Sequence, residues 1–172
     1  MKCITIGYLI ACSLLPSCVA PTPKSNTPNP FVTSAFKQPF PKKMRLAAPL
    51  RSSYAESDAV LGPRLNKLAS DIGFELHKKG YQLISKYSGD EALVVFGYHS
   101  RPALITLISG GWDHSVEVKF WSPDMQKYYG AAGANWLNFP SESIDSILTN
   151  LAVRSMNEVP AYGESPPDKT RN

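Results

Sequence analysis

No cysteine occurs after residue 18; the three in the chain are Cys3, Cys12 and Cys18. The rest of the sequence therefore holds no disulfide, no cysteine nucleophile and no thiolate ligand for zinc or an iron–sulfur cluster. Charge of one sign is scarce as well. Eighteen Lys and Arg against 14 Asp and Glu leave a formal excess of +4, too small and too dispersed to point to a nucleic acid partner. Long apolar runs are missing: the most apolar stretch, residues 4–15, falls short of the roughly 20 residues that a spanning helix needs. There is no internal repeat, no Gly-x-Ser-x-Gly, no His-Glu-x-x-His and no Gly-Lys-Ser/Thr step, so the common hydrolase, zinc and phosphate-loop signatures are absent.

What is present starts with an export signal. Lys2, the apolar stretch 4–15 and the small Ser17 before Cys18 are the three parts of a secretory leader. The step Leu15-Pro16-Ser17-Cys18 resembles the bacterial lipobox (Leu, two small residues, Cys), with the proline as its one departure. The resemblance implies cleavage before Cys18 and acylation of Cys18. Leu9-Ile10-Ala11-Cys12 is a second match, but cutting there would leave an apolar region of only about eight residues, near the lower limit for a signal, so Cys18 is favoured. Two acyl chains on Cys18 would make the anchor effectively permanent, where one would be reversible. Val19 stands where an aspartate would suggest inner-membrane retention in a Gram-negative cell. The lipoprotein reading therefore points to the periplasmic side of the outer membrane.

Residues 1–17 thus read as signal peptide, and 18–50 as lipidated cysteine plus tether. Prolines at 21, 23, 28, 30, 39, 41 and 49 alternate with Thr, Ser, Asn and Lys, a composition that favours polyproline II; about thirty such residues at roughly 3.1 Å each reach about 90 Å when extended. Lys42, Lys43 and Arg45 close this stretch as a short basic cluster that suits a solvated linker, or contact with anionic headgroups or glycan strands. Residues 51–160 read as one small globular domain, large enough to fold without disulfides. The polar, Pro-rich 161–172 reads as a disordered tail.

Within the domain, Pro63 suits a helix start, and Leu65, Leu68, Ala69, Ile72 and Leu76 recur on one helical face until Gly80. Strands are expected over 81–85, 92–98, 103–108, 115–121 and 128–136. Strict alternation in 115–121 puts Val116, Val118 and Phe120 inward and Glu117, Lys119 and Trp121 toward water. The small residues Gly130, Ala131, Ala132 and Gly133 mark a strand that something crosses closely. Ser141 can cap a second helix bearing Ile144, Ile147, Leu148, Leu151, Ala152 and Met156, closed by Pro160. The fold class is α+β: a two-layer sandwich with a largely antiparallel sheet of about four to five strands and two amphipathic helices on one face.

The stretches Leu76-His77-Lys78-Lys79-Gly80-Tyr81, Asp90-Glu91-Ala92-Leu93-Val94-Val95, Tyr128-Tyr129-Gly130-Ala131 and 144–160 together resemble the small envelope lipoproteins of the domain-of-unknown-function 4136 (DUF4136) type. The resemblance covers most of 65–160. This chain departs from it in lacking a tryptophan before the glycine of the last strand, and its 35–50 region makes a poor first strand. The family implies an outer-membrane lipoprotein of unknown role and carries over no catalytic residue.

Candidate chemistry is thin. His99, His114 and Asp113 would approach one another if their strands form a meander, giving a metal site or an acid–base pair. Turn-forming Asp113 explains the same residues without chemistry. Ser109-Gly110-Gly111 reads as a hairpin connection and 130–133 as a packed strand. The aromatics weigh more. Trp112, Trp121, Tyr128, Tyr129 and Trp136 crowd the last strands, and Trp121 shares the exposed side with Glu117 and Lys119. Cross-strand packing accounts for such a group, and so does a binding surface made of Trp121, Glu117, Lys119, Tyr128 and Tyr129. The expectation is a non-enzymatic, lipid-anchored interaction or assembly module with an envelope protein partner. Peptidoglycan, glycan or lipid binding is the alternative, and no cofactor, metal or nucleic acid is expected.

Overall fold

A computed structural model describes residues 29–34, 36, 39–47, 58–102, 111–138 and 142–164. Among these residues, six strands and two helices follow in the order β1 (Asn29–Ser34), β2 (Lys43–Leu46), α1 (Asp58–Lys78), β3 (Gln82–Leu83), β4 (Ala92–Pro102), β5 (Trp112–Trp121), β6 (Tyr128–Asn138) and α2 (Ile144–Asn157). They form one sheet of order β1-β6-β5-β4-β2-β3. The β1–β6–β5–β4 part is antiparallel, while β2 runs parallel to both β4 and β3. Parallel neighbours need a crossover, and α1 supplies the one between β2 and β3. The result is the expected two-layer α+β domain.

Both helices pack on one face. Leu61, Leu65, Leu68, Ile72 and Leu76 of α1 and Ile147, Leu148, Leu151, Ala152 and Met156 of α2 share one core with Val94, Phe96, Tyr98, Val116, Val118, Phe120, Ala132 and Ala134. On β6 this contribution is made by small side chains, which lets α2 lie close to the strand. Thr149 of α2 donates to Asp71 of α1 at 2.9 Å, and Asp71 also pairs with Lys67 at 3.0 Å. The helix pair is thereby tied at its polar margin.

The helix ends differ from the expected ones for local reasons. The helix α1 begins at Asp58, so Pro63 lies inside it, where it removes one early hydrogen bond without ending the helix. Its C-terminus is a Schellman motif. Gly80, at φ 87°, donates to His77 O and Tyr81 donates to Leu76 O, the two bonds that a left-handed residue after a helix makes possible. Ser143, rather than Ser141, is the N-cap of α2, and its side chain makes no capping bond.

The Pro-rich segment departs most from expectation. Although residues 18–50 read as tether, β1 pairs with β6 and β2 with β4. Phe36, Phe40 and Met44 are buried in the core. Phe40 is an aromatic hub, with ring centroids 4.9 Å from Phe120, 5.4 Å from Phe36, 5.7 Å from Tyr129 and 6.0 Å from Tyr81. The opposite end of the chain is also longer in structure than in expectation. Tyr162 donates its N–H to Lys79 O at 2.9 Å and its ring meets Tyr81 at 6.0 Å. The expected strand at 103–108 lies outside the described residues.

Candidate functional site

The face of the sheet turned away from the helices is built in cross-strand rows. From one end these are Leu93–Trp121–Tyr128, Val95–Lys119–Ala131, Gly97–Glu117–Gly133, His99–Ser115–Asn135 and Arg101–Asp113–Leu137. The floor of the first two rows is apolar, since Leu93 and Val95 are buried. Above it Trp121 and Tyr128 meet at 4.5 Å with their planes tilted by 48°, a geometry within the favoured range for aromatic pairs. Lys119 and Glu117 pair at 2.9 Å. Both are partly exposed, and a pair of that kind adds little stability.

Four of the five expected binding residues are therefore neighbours on one surface. Tyr129 is not among them. The register shifts between Phe120 and Trp121, so that Phe120 faces Gly130 while Trp121 faces Tyr128. This bulge leaves Tyr129 as the extra residue, and a bulge re-aims the side chain it inserts. Tyr129 is only 8% exposed and packs on Phe40, and Lys127 lies 5.0 Å from its ring centroid. Burial raises its hydroxyl pKa, and the charge of Asp124 adds to the rise.

The bulge also leads into the tip of the β5–β6 hairpin, residues 122–127. Met125 takes φ 58° there and stays 52% exposed. The turn is held by Ser122 N–H to Lys127 O and Met125 N–H to Ser122 O, both at 2.8 Å, and by a short bond from the Ser122 hydroxyl to Asp124. That hydroxyl and the Gln126 N–H lower the Asp124 pKa. Of the other aromatics, Trp112 is exposed at the far end of β5, whereas Trp136 packs against the core and donates to Glu142 at 2.9 Å.

The histidines do not converge. His99 pairs with Ser115 and lies on the open face, whereas His114 is one register step away, on the helix side. There it is buried and its Nδ1 sits 2.7 Å from the Tyr98 hydroxyl. Successive strand residues point to opposite faces, so these two imidazoles cannot share one ligand. Asp113 is held by Arg101, whose Nε and Nη2 donate to Oδ2 at 3.1 and 3.0 Å.

Two features were not anticipated from the sequence. His99, Ser100, Arg101, Asp113, Ser115 and Asn135 line a concavity of about 370 Å³ at the polar end of the open face. The same alternation that exposes Glu117 also exposes Ser115 and Asp113, so extending β4 to Pro102 would have revealed it. The second feature is a carboxylate knot. Glu91 is fully buried, pairs with Arg45 at 3.1 Å and accepts from the N–H groups of Ser88 and Gly89 at 3.0 and 2.7 Å. Burial alone would raise its pKa. That effect is overridden by the N–H groups of Glu91 and Ser88, by Arg45 and by the Ser88 hydroxyl, which together bring it to about 2. Neighbouring Asp90, bonded to Ser88 and Lys43, is lowered as well. Two members of the expected basic cluster, Lys43 and Arg45, are thus neutralised by Asp90 and Glu91.

Cys18 lies outside the described residues, as does most of the Ser109-Gly110-Gly111 turn. Among the described residues, no helix is long and apolar enough to cross a membrane.

No protein-family profile and no curated protein matches this chain. Solved structures do. The PelC dodecamer from Paraburkholderia phytofirmans is 11% identical, with 75% of this chain and 94% of that chain covered at a TM-score of 0.53; a point variant of it in a second crystal form gives the same values. A PDZ domain protein from Parabacteroides distasonis is 12% identical, over 82% of this chain and 37% of its own, at a TM-score of 0.45. At this level of identity, the likeness to PelC is one of fold alone.

Proposed function

We propose that this chain is a lipid-anchored envelope lipoprotein, held at Cys18 on the periplasmic side of the outer membrane, that serves as a non-catalytic interaction or assembly module. It docks a protein partner on the aromatic end of its open sheet face. The observation that carries this reading is the Trp121–Tyr128 pair beside Lys119 and Glu117 on a surface that neither α1 nor α2 covers. Partly exposed aromatics on a rigid strand scaffold give large contact area at low entropic cost, and a flanking pair of opposite charges sets orientation. Met125 is exposed at the tip of the adjoining hairpin. The placement of His99 and His114 on opposite faces supports a non-catalytic role. Because PelC is a dodecamer, a second copy of this chain is one candidate partner.

Photo-crosslinking in cells from positions 117, 119 and 121 tests the docking surface. A discrete protein adduct is the expected result. Adducts with lipid or glycan only, or none, would replace it with the alternative of peptidoglycan or lipid binding. The anchor is tested separately by palmitate labelling: Cys18→Ser abolishes uptake if Cys18 is the acylated residue, and continued uptake would move the assignment to Cys12.

A further inference from the structure

The polar end of the open face carries a chemistry unlike that of the aromatic end. His99, Ser115 and Asn135 occupy adjacent positions on β4, β5 and β6 in one row. None of the three side chains makes a hydrogen bond among the described residues. In the next row Arg101 and Asp113 cancel each other's charge; both guanidinium donors converge on Oδ2, and both residues line the concavity.

The lining defines what fits. A cavity of about 370 Å³ lies at the lower end of the range of small-ligand sites, roughly 300–1,000 Å³. Strands spaced by about 4.8 Å spread the His99–Ser115–Asn135 row over about 10 Å, the length of one to two sugar rings. The row offers donors and acceptors in mixture: an amide, a hydroxyl and an imidazole. Among the described residues, the six that line the cavity are all polar, which favours a polar ligand over an acyl chain. Arg101, the one cation among the described lining residues, is already matched by a carboxylate, which disfavours an anion. The described lining residues offer one imidazole and one occupied carboxylate, too few to hold a metal ion.

We propose that this row, with the Arg101–Asp113 pair beside it, is a binding site for a neutral saccharide of one to two rings. The site stands at the end of the face opposite Trp121, so it goes beyond the protein-docking reading and can fail or survive independently of it.

Saturation-transfer NMR on the full chain in detergent micelles tests the proposal, with diacetylchitobiose and maltose as neutral probes and inorganic phosphate as competitor. Transfer to a neutral disaccharide at millimolar concentration is expected, with affinity falling about three- to tenfold in both Asn135→Ala and His99→Ala, the loss of one hydrogen bond each. Both side chains are exposed, so neither variant disturbs the core, and Trp121→Ala should leave the transfer unchanged. Absence of transfer, equal transfer in both variants, or displacement by phosphate would each overturn the assignment.

Discussion

On the helix side of β4, β5 and β6, Val94, Phe96, Tyr98, Val116, Val118, Phe120, Ala132 and Ala134 are buried, while their sequence neighbours Ser115, Glu117, Lys119, Trp121 and Asn135 keep contact with solvent on the other. The same three strands thus run two kinds of energetics. On the helix side each side chain touches many others, and removing one leaves a cavity that its neighbours cannot fill. On the open side the interactions are pairwise and partly hydrated, with Lys119–Glu117 and Arg101–Asp113 as examples, and each is worth little to the fold. The solvent-exposed side chains of this face are therefore free to be shaped by recognition, because changing them costs little in stability, unlike the buried Leu93, Val95 and Ala131 beneath them.

The largest break in this contrast is expected at Phe40. It sits at the meeting point of four other rings although the composition around it reads as a linker. Phe40→Ala should cost about 3–5 kcal/mol, measured by urea denaturation; a midpoint close to wild type would show that the Pro-rich segment is not part of the cooperative unit.

Next comes Gly130, where an added Cβ would stand 2.3 Å from a ring carbon of Phe36 at a backbone φ of 152°. Gly130→Ala should destabilise by about 1–3 kcal/mol, with part recovered when Phe36→Ala is added. Failure of that rescue would place the cost in the backbone alone.

Glu91 sharpens the contrast by burying a charge against Arg45, which stands opposite Leu93 on β4. Its folded pKa of about 2 lies below the ordinary value of 4.5. A carboxyl with a depressed folded pKa stabilises the protein fully above its unfolded pKa, and that contribution is lost as pH falls through the folded one. Unfolding free energy measured against pH should therefore show wild type ahead of Glu91→Gln above about pH 4.5, with the gap closing toward pH 2. A gap independent of pH would mean that shape rather than charge holds the knot.

The smallest effect on stability is expected on the open face. Trp121→Ala should shift it by about 1 kcal/mol or less, the scale of a cross-strand aromatic pair, while abolishing capture of a protein partner. Equal capture by the variant would remove the aromatic end from the proposed function.

Legibility in the sequence followed the range of the interactions. The stripes of α1 and α2 and the alternation of β5 are local patterns, and residues such as Leu68, Leu148 and Val118 could be placed on the correct face from spacing alone. Trp121, Glu117 and Lys119 followed from the same alternation. Tyr129 did not, because a bulge is a property of a strand pair and leaves no mark in one strand's own sequence. The row of His99, Ser115 and Asn135 was hidden for a related reason: it belongs to three strands at once.

The sequence by itself determined the two amphipathic helices, the hydrophobic and polar sides of β5, and thus an α+β domain with both helices on one face. Only the tertiary structure decided that the Pro-rich segment supplies β1, β2, Phe36, Phe40 and Met44, and that Glu91 is buried against Arg45. The physical reason lies in where the stabilisation comes from. Residues 29–46 lack a strong local pattern, and their order comes from backbone pairing with β4 and β6 and from burial of rings against Phe120, partners about a hundred positions away at the farthest. Such contacts are set by the assembled sheet.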